Sequence, residues 1–393
     1  MQLAIVSAEA DGTTVFGEGI HELVTPAAQL STALAGGGHE VTVYTPTSRR
    51  ACTDEVIADQ GYRVVQLPSG SAGLRTGLGE FTGHLERVWA QEQPDVVHAQ
   101  SWLSGMAAQS AARSSAIPVV QTFERMAAVE RRRSRSADTE NADRAKLEAL
   151  LARRANWVAA NSTGEMVELF RMGCARSRIS VVPCGVDSEV FHPPGLADAR
   201  DATPFRIVSV ASSTGRCNVE MVVHGVAALT DAELVFAFDA AAGATVTAEV
   251  ERLRAAAHHA GVAHRLTTVA VSTATDLAEL LSSADLCACV ATTEPSGAVA
   301  LMAMSCGVPV IATRVGALVD IVVDDVTGRL VSPGDVAGFV DAARKVLHEP
   351  FAGRGMGAAG RDRARARYSW DRVAADATRA YEGALGTVGS VSA

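Results

Sequence analysis

Aromatic side chains are scarce, only 5% of the 393 residues, so the core must be built mainly from aliphatic groups. No run of apolar residues approaches the ~20 needed to span a bilayer. Cations are not in excess. Lys and Arg number 35 against 44 Asp and Glu, a net charge of −9, which excludes a nucleic-acid binder driven by overall charge but leaves room for a local basic patch. No Cys-x2-Cys pair exists among the seven cysteines, whose number is odd and whose positions are scattered. They read as small buried hydrophobes in a reducing cytoplasm, without a metal site. No Asp-x-Asp segment is present, so neither a divalent metal nor any other cofactor is expected. The opening Met1-Gln2-Leu3-Ala4-Ile5-Val6 has no basic n-region, and reads as a first strand rather than a signal peptide.

What the chain has instead is abundant Ala, Val and Gly, with 48% hydrophobic residues. Ala-rich helices on Val-rich strands suit an α/β protein, and this length suits two domains. Strands are expected at Leu3–Ser7, Glu40–Tyr44, Arg63–Leu67, Pro94–Ala99, Ile117–Thr122, Val158–Ser162 and Ile179–Pro183, alternating with helices. Such alternation means βαβ units and a parallel sheet. Arg131-Arg132-Arg133-Ser134-Arg135 reads as a solvated loop before a helix at Arg144–Arg154; a mobile lid or a basic edge near a phosphate is the sharper reading. His192-Pro193-Pro194-Gly195 and the polar stretch to Pro204 read as a linker, after which Phe205–Val210 starts a second α/β run.

The most informative stretch is Glu294 to Gly316: a carboxylate at a strand end, an uncharged apolar helix, the strand Val310–Thr313 and a glycine turn. A βα junction of this kind places backbone N–H groups and one carboxylate at the carboxyl edge of a parallel sheet, where α/β proteins bind anions. The pattern resembles the signature of glycosyltransferase family 4, retaining enzymes of the GT-B fold. Gly38-His39-Glu40-Val41-Thr42-Val43-Tyr44-Thr45, Pro94-Asp95-Val96-Val97-His98-Ala99-Gln100, Ile179 to Asp187 with Phe191-His192-Pro193, and Tyr368-Ser369-Trp370 resemble further blocks of that family in order. The resemblance therefore covers nearly the whole chain. It implies two doubly wound Rossmann-like domains facing across a cleft: an acceptor-binding domain at 1–195, a donor-binding domain at 203–367, and a last helix at 368–393 crossing back to the first. The linker and that crossing would act as hinges for domain closure.

Carried onto this chain, the resemblance implies that Glu294 contacts donor-sugar hydroxyls, with the amides of Ser296, Gly297 and Ala298 facing sugar or phosphate. A plain helix cap is the other reading of Glu294. The family's second motif Glu, which binds the nucleotide ribose, is replaced here by Met302, a side chain better suited to core packing. Where the family has a Gly-Arg pair and a later Lys to hold the diphosphate, this chain has Ser212 and Cys217. Ser213, Thr214 and Arg216 are the neighbouring groups able to bind phosphate oxygens; a bare surface turn is the alternative. In the first loop Gly17 and Gly19 match the family's glycine pair, with Glu18 and Glu22 added. Glu124 stands where the family often has a His. His21 and His98 remain, each able to act in catalysis or simply as a structural hydrogen-bonder. Catalytic candidates are thus Glu294, His98 and Glu124. Glu22, His21 and Glu124 are acceptor-site candidates that suggest a cationic acceptor such as an amino sugar.

Three functional readings stand. One is a transferase with an altered donor site, moving a sugar from a nucleotide diphosphate donor to a small-molecule acceptor. Another is a silent relative that supports a partner protein. The third is a transferase using a sugar diphosphate that lacks a nucleoside. A monomer or homodimer without nucleic-acid partners is expected.

Overall fold

The computed structural model describes residues 1–7, 26–47, 54–58, 60–69, 74–133, 139–193, 204–211, 216–240 and 244–389. The chain divides into two compact units, Met1–Pro183 with Trp370–Ala393, and Cys184–Ser369.

The first unit runs β1 (Gln2–Ser7), α1 (Pro26–Gly36), β2 (Glu40–Thr47), β3 (Asp54–Ile57), β4 (Arg63–Pro68), α2 (Leu74–Gln91), β5 (Val96–Gln100), α3 (Trp102–Ala111), β6 (Val119–Thr122), α4 (Ala127–Arg133), α5 (Thr139–Arg154), β7 (Trp157–Ala160), α6 (Thr163–Arg171) and β8 (Ile179–Val181). Its sheet has the order β3-β4-β2-β1-β5-β6-β7-β8. All neighbours are parallel except β3, which pairs with β4 antiparallel at the edge. Strand order reverses between β1 and β5, with Ile5 in register with His98. That switch is where the carboxyl ends of strands part to form a binding crevice.

The second unit contains β9 (Phe205–Val210), β10 (Arg216–Cys217), α7 (Val219–Ala228), β11 (Ala232–Asp239), α8 (Ala244–His259), β12 (Leu266–Val271), α9 (Ala274–Ser282), β13 (Leu286–Cys289), β14 (Ala291–Thr293), α10 (Ala298–Ser305), β15 (Val310–Thr313), α11 (Leu318–Ile321), β16 (Gly328–Val331), α12 (Val336–His348) and α13 (Pro350–Tyr368). Its six strands are parallel in the order β12-β11-β9-β13-β15-β16, and β10 pairs separately with β14. The last helix, α14 (Trp370–Gly389), belongs to the first unit, where Val373, Ala377, Ala380, Tyr381 and Ala384 are buried against Leu3, Ile5, Val43 and Val120.

Both faces of the first sheet are covered. Phe81, Leu85, Trp89, Leu103, Leu151 and Leu169 fill one side, and α1 with α14 fill the other. Strands buried on two sides need continuous apolar runs, which is what β1 and β5 supply.

Several expectations need correction. The basic run 131–133 is the last turn of α4 rather than loop; Ser134 and Arg135 fall outside the described residues. Residues 184–193 pack with the second unit, where Ser305 Oγ donates to Phe191 O at 2.6 Å, so the first unit closes earlier than the 195 expected. Helix α13 was not expected at all. Two of its glycines, normally poor helix formers, are steric necessities: a Cβ at Gly357 would lie 2.0 Å from Gly307 O, and one at Gly353 would lie 2.5 Å from Val346 O.

Candidate functional site

In the second unit the site is built on the β14–α10 junction. Thr313 Oγ1 both accepts from Ala291 N (2.9 Å) and donates to Ala291 O (2.7 Å), pinning β14 beside β15. The chain then turns through Glu294, Pro295 and Ser296 to Gly297, whose φ of +70° makes it the left-handed N-cap of α10. Glu294 is buried, and its Oε1 accepts from Ser296 N (3.2 Å), Ser296 Oγ (3.2 Å) and Gly297 N (2.9 Å). Ser296 Oγ in turn accepts from Ala298 N at 3.4 Å. The first-turn amides of α10 have no partner within the helix itself. This carboxylate therefore fixes the shape of a turn whose helix end favours anions.

Gly316 seals the turn from behind. Its φ is +50°, and a Cβ there would sit 1.8 Å from the Glu294 carbonyl oxygen, which also accepts from Ala317 N at 2.9 Å. Beside Glu294 and Gly297 lies a cavity of about 20 Å³ lined also by Ser209, Cys217, Cys289 and Val290. That is room for about one water. Cys217 is held at the end of β10 opposite Ala291, and burial pushes its thiol up to about 12, so this position carries neutral sulfur. Arg216 pairs through its backbone with Thr293. Met302 is buried on α10 at 5% exposure and offers no polar atom. Ser212, Ser213, Thr214, Gly17, Gly19, His21 and Glu22 lie outside the described residues.

In the first unit His98 sits mid-sheet on β5, 3% exposed. Its Nδ1 meets Tyr381 Oη at 2.9 Å and its Nε2 meets Thr122 Oγ1 at 2.8 Å. Thr122 Oγ1 also donates to Ala159 O (3.1 Å), so it accepts from His98 Nε2–H, and Tyr381 O–H donates to Nδ1. Burial lowers the imidazole to about 4, so it is neutral. Both ring nitrogens are engaged, and His98 ties β5, β6, β7 and α14 together.

Sequence reading missed the groups at the carboxyl end of β5. Ser101 has φ +79° and ψ 165°, a region that costs a residue with a Cβ energy and persists only when surroundings over-determine it. Here they do: Ser101 N donates to Thr122 O (3.1 Å), and Ser101 O accepts from Gln121 Nε2 (2.9 Å). Next to it, the Trp102 ring lies 5.7 Å from the Arg75 guanidinium carbon and 5.9 Å from that of Arg144. The only sequence signal was position, a Ser-Trp pair directly after a buried strand.

Glu124 is half-buried, just past β6. The segment around it is tightly tied. Asn161 Nδ2 donates to Phe123 O (2.8 Å), Arg144 donates to Arg125 O, and Ala127 N donates to Glu148 Oε2 (2.8 Å). Among the described residues no group of three or more His, Cys, Asp or Glu could hold a metal. No helix among them is long and apolar enough to cross a membrane.

Comparison with known proteins aligns with this geometry. Residues 24–190 match the family model Glycosyltransferase Family 4, and residues 198–363 match Glycosyl transferases group 1. A D-inositol 3-phosphate glycosyltransferase of Xylanimonas cellulosilytica is 32% identical over 369 residues, covering 88% of each chain. Sucrose-phosphate synthase from Thermosynechococcus elongatus superposes with a TM-score of 0.84 at 25% identity, over 97% of this chain and 98% of that one. Anabaena Alr3699/HepE in complex with UDP and glucose superposes with a TM-score of 0.74 at 16% identity, over 96% and 98%. That last likeness concerns the fold alone.

Proposed function

As the chain belongs to glycosyltransferase family 4 and has the GT-B fold, it transfers a sugar from a donor, and we propose that the donor is a nucleoside diphosphate sugar and the acceptor a small phosphorylated polyol. The observation that carries the acceptor reading is the Arg75 guanidinium beside Trp102 at the carboxyl end of β5; Arg144, also near that ring, has its nitrogens bonded to Glu148, Arg125 O and Glu130 and contributes its charge rather than a free fork. Phosphate recognition favours Arg, whose planar fork matches phosphate oxygens. Relatives named for D-inositol 3-phosphate support the same class. A cationic acceptor was the expectation from Glu22 and Glu124. Glu22 and His21 lie outside the described residues, and the segment holding Glu124 also carries Arg125 and is bonded by Arg144, which brings cations beside that carboxylate. We favour the phosphorylated acceptor over that expectation.

On the donor side, the barrier is dominated by negative charge developing on the departing diphosphate, and preorganised amides lower it. The α10 N-terminus is the element assigned to that charge through its dipole, because the Ser296 and Gly297 amides, expected to face the ligand, are taken by Glu294 and the Ala298 amide by Ser296 Oγ. Glu294 also orients donor hydroxyls in this reading. Arg216 is the cation assigned to the diphosphate, since Cys217 is neutral. Reaction with retention follows by front-face attack, the leaving phosphate taking the acceptor proton. His98 holds the sheet and receives no proton. Met302 leaves ribose hydroxyls without a carboxylate partner, so nucleoside binding relies on other contacts.

Calorimetric titration of UDP, GDP and ADP into the full chain tests the donor class. Saturable binding of at least one supports the reading; no binding by a folded protein removes the nucleotide donor. Initial rates with D-inositol 3-phosphate against unphosphorylated inositol test the acceptor class, with a preference for the phosphorylated compound expected.

A further inference from the structure

A buried polar network lies behind the acceptor edge of the first unit, and none of its members belongs to the machinery described above except Arg144. Glu165, in the first turn of α6, is 9% exposed. Its Oε2 accepts from Asn161 N (3.1 Å) and Asn161 Nδ2 (3.1 Å), while its Oε1 is buried with no hydrogen-bond partner. The same Asn161 amide grips Phe123 O at 2.8 Å. On the far side of the segment, Glu148 of α5, whose side chain is wholly buried, accepts from Ala127 N (2.8 Å) and from Arg144 Nε (2.7 Å). Residues 123–127 are thus clamped at both ends, by Asn161–Glu165 from β7 and α6, and by Glu148–Arg144 from α5. Between the clamps stand Glu124 and Arg125, and the clamp's own Arg144 faces Trp102.

We propose that Glu165 and Asn161 are positioning residues for acceptor binding, fixing residues 123–127 at the sheet edge from a site that touches no substrate. This rests on the phosphorylated-acceptor reading. Burial costs an ionised carboxylate dearly: it raises Glu165 to about 8, with the Glu148 charge adding to the shift, and Glu148 to about 7. Glu165 therefore carries its proton on Oε1 near neutral pH, leaving Oε2 to accept from Asn161. The charged group that acts on it is Glu148 of α5, which is itself paired with Arg144 and, through Arg144, linked to Glu130 of α4 and its partner Arg125. Ionisation above about pH 8 adds a buried negative charge beside Glu148 and loosens the clamp.

The test compares Glu165→Ala and Glu165→Gln in the full chain. Glu165→Gln preserves the acceptor oxygen and mimics the protonated acid. Expected for Glu165→Ala is an acceptor KM raised about tenfold with the donor KM within about twofold, and for Glu165→Gln near-native constants. Wild-type acceptor KM should climb above pH 8 while that of Glu165→Gln stays flat. Amide hydrogen exchange over residues 123–127, read by mass spectrometry without substrate, should speed up in Glu165→Ala and not in Glu165→Gln. If no phosphorylated polyol is turned over, the acceptor reading fails, and the exchange rates still decide whether the clamp holds this segment. Unchanged exchange in Glu165→Ala overturns the proposal. So does an unchanged acceptor KM, or a donor KM that rises equally.

Discussion

Replacing His98 by Gln should change how the stability of the first unit depends on acid, by an amount the structure sets. His98 is buried and neutral, between Tyr381 and Thr122, with its folded value lowered to about 4 from 6.5. A group whose charged form is disfavoured in the folded state costs stability once the unfolded chain takes up the proton and the folded chain does not. That cost begins as pH falls through about 6.5 and is complete below about 4. Integrating the two titrations gives ~0 at pH 7.5 and ~2 kcal/mol at pH 5. Glu148 and Glu165 act in the opposite sense, because raised acids cost stability as pH rises through their shifted values, so the wild-type profile alone is ambiguous. The difference between wild type and His98→Gln isolates the imidazole. All four tryptophans (Trp89, Trp102, Trp157 and Trp370) lie in the first unit, so urea unfolding followed by tryptophan fluorescence reports on that unit. The variant should be the less stable at pH 7.5, having lost a fitted hydrogen-bond chain. Its deficit should then shrink by ~2 kcal/mol on moving to pH 5. A deficit that stays constant within ~0.5 kcal/mol between the two pH values would refute the buried, neutral assignment.

Gly316→Ala should cost stability and most of the activity, since αL backbone with a Cβ costs about 1–2 kcal/mol and the new carbon would press on the Glu294 carbonyl; thermal unfolding and turnover measured together check this. Glu294→Ala should destabilise by about 1–3 kcal/mol through the orphaned Ser296 and Gly297 amides, whereas Glu294→Gln keeps an acceptor oxygen and should fold normally while losing turnover. Loss of turnover in Glu294→Ala alone, with Glu294→Gln fully active, would reduce that carboxylate to a cap. Arg75→Ala should raise KM for a phosphorylated acceptor roughly tenfold and leave an unphosphorylated one unaffected, as initial rates with the two compounds would reveal.

The doubly wound architecture was legible because its signals are local. The apolar runs of β1 and β5 have no alternative but burial, and Gly316 and Gly297 mark turns that need unusual backbone. Helix α13 was illegible because Gly353, Gly357 and Gly360 argue against a helix until their neighbours at 307, 346 and 304 are known. The short edge strand β3 starts with two acids, Asp54 and Glu55, which read as loop. The site was legible in part. Glu294 could be found by spacing, but its three amide and hydroxyl partners could not. His98 could be noticed as a lone histidine, while its partner Tyr381 lies 283 residues away in sequence. Arg75, Trp102 and Arg144 come from separate elements and meet only after folding, so no periodicity announces them.

The most direct test of the account is proton NMR of the complete reaction: full chain, an α-configured nucleoside diphosphate sugar and D-inositol 3-phosphate. The account predicts an α-linked glycoside formed together with an equal amount of free nucleoside diphosphate. A β-linked product, or no glycoside from any donor that the protein binds, would contradict it.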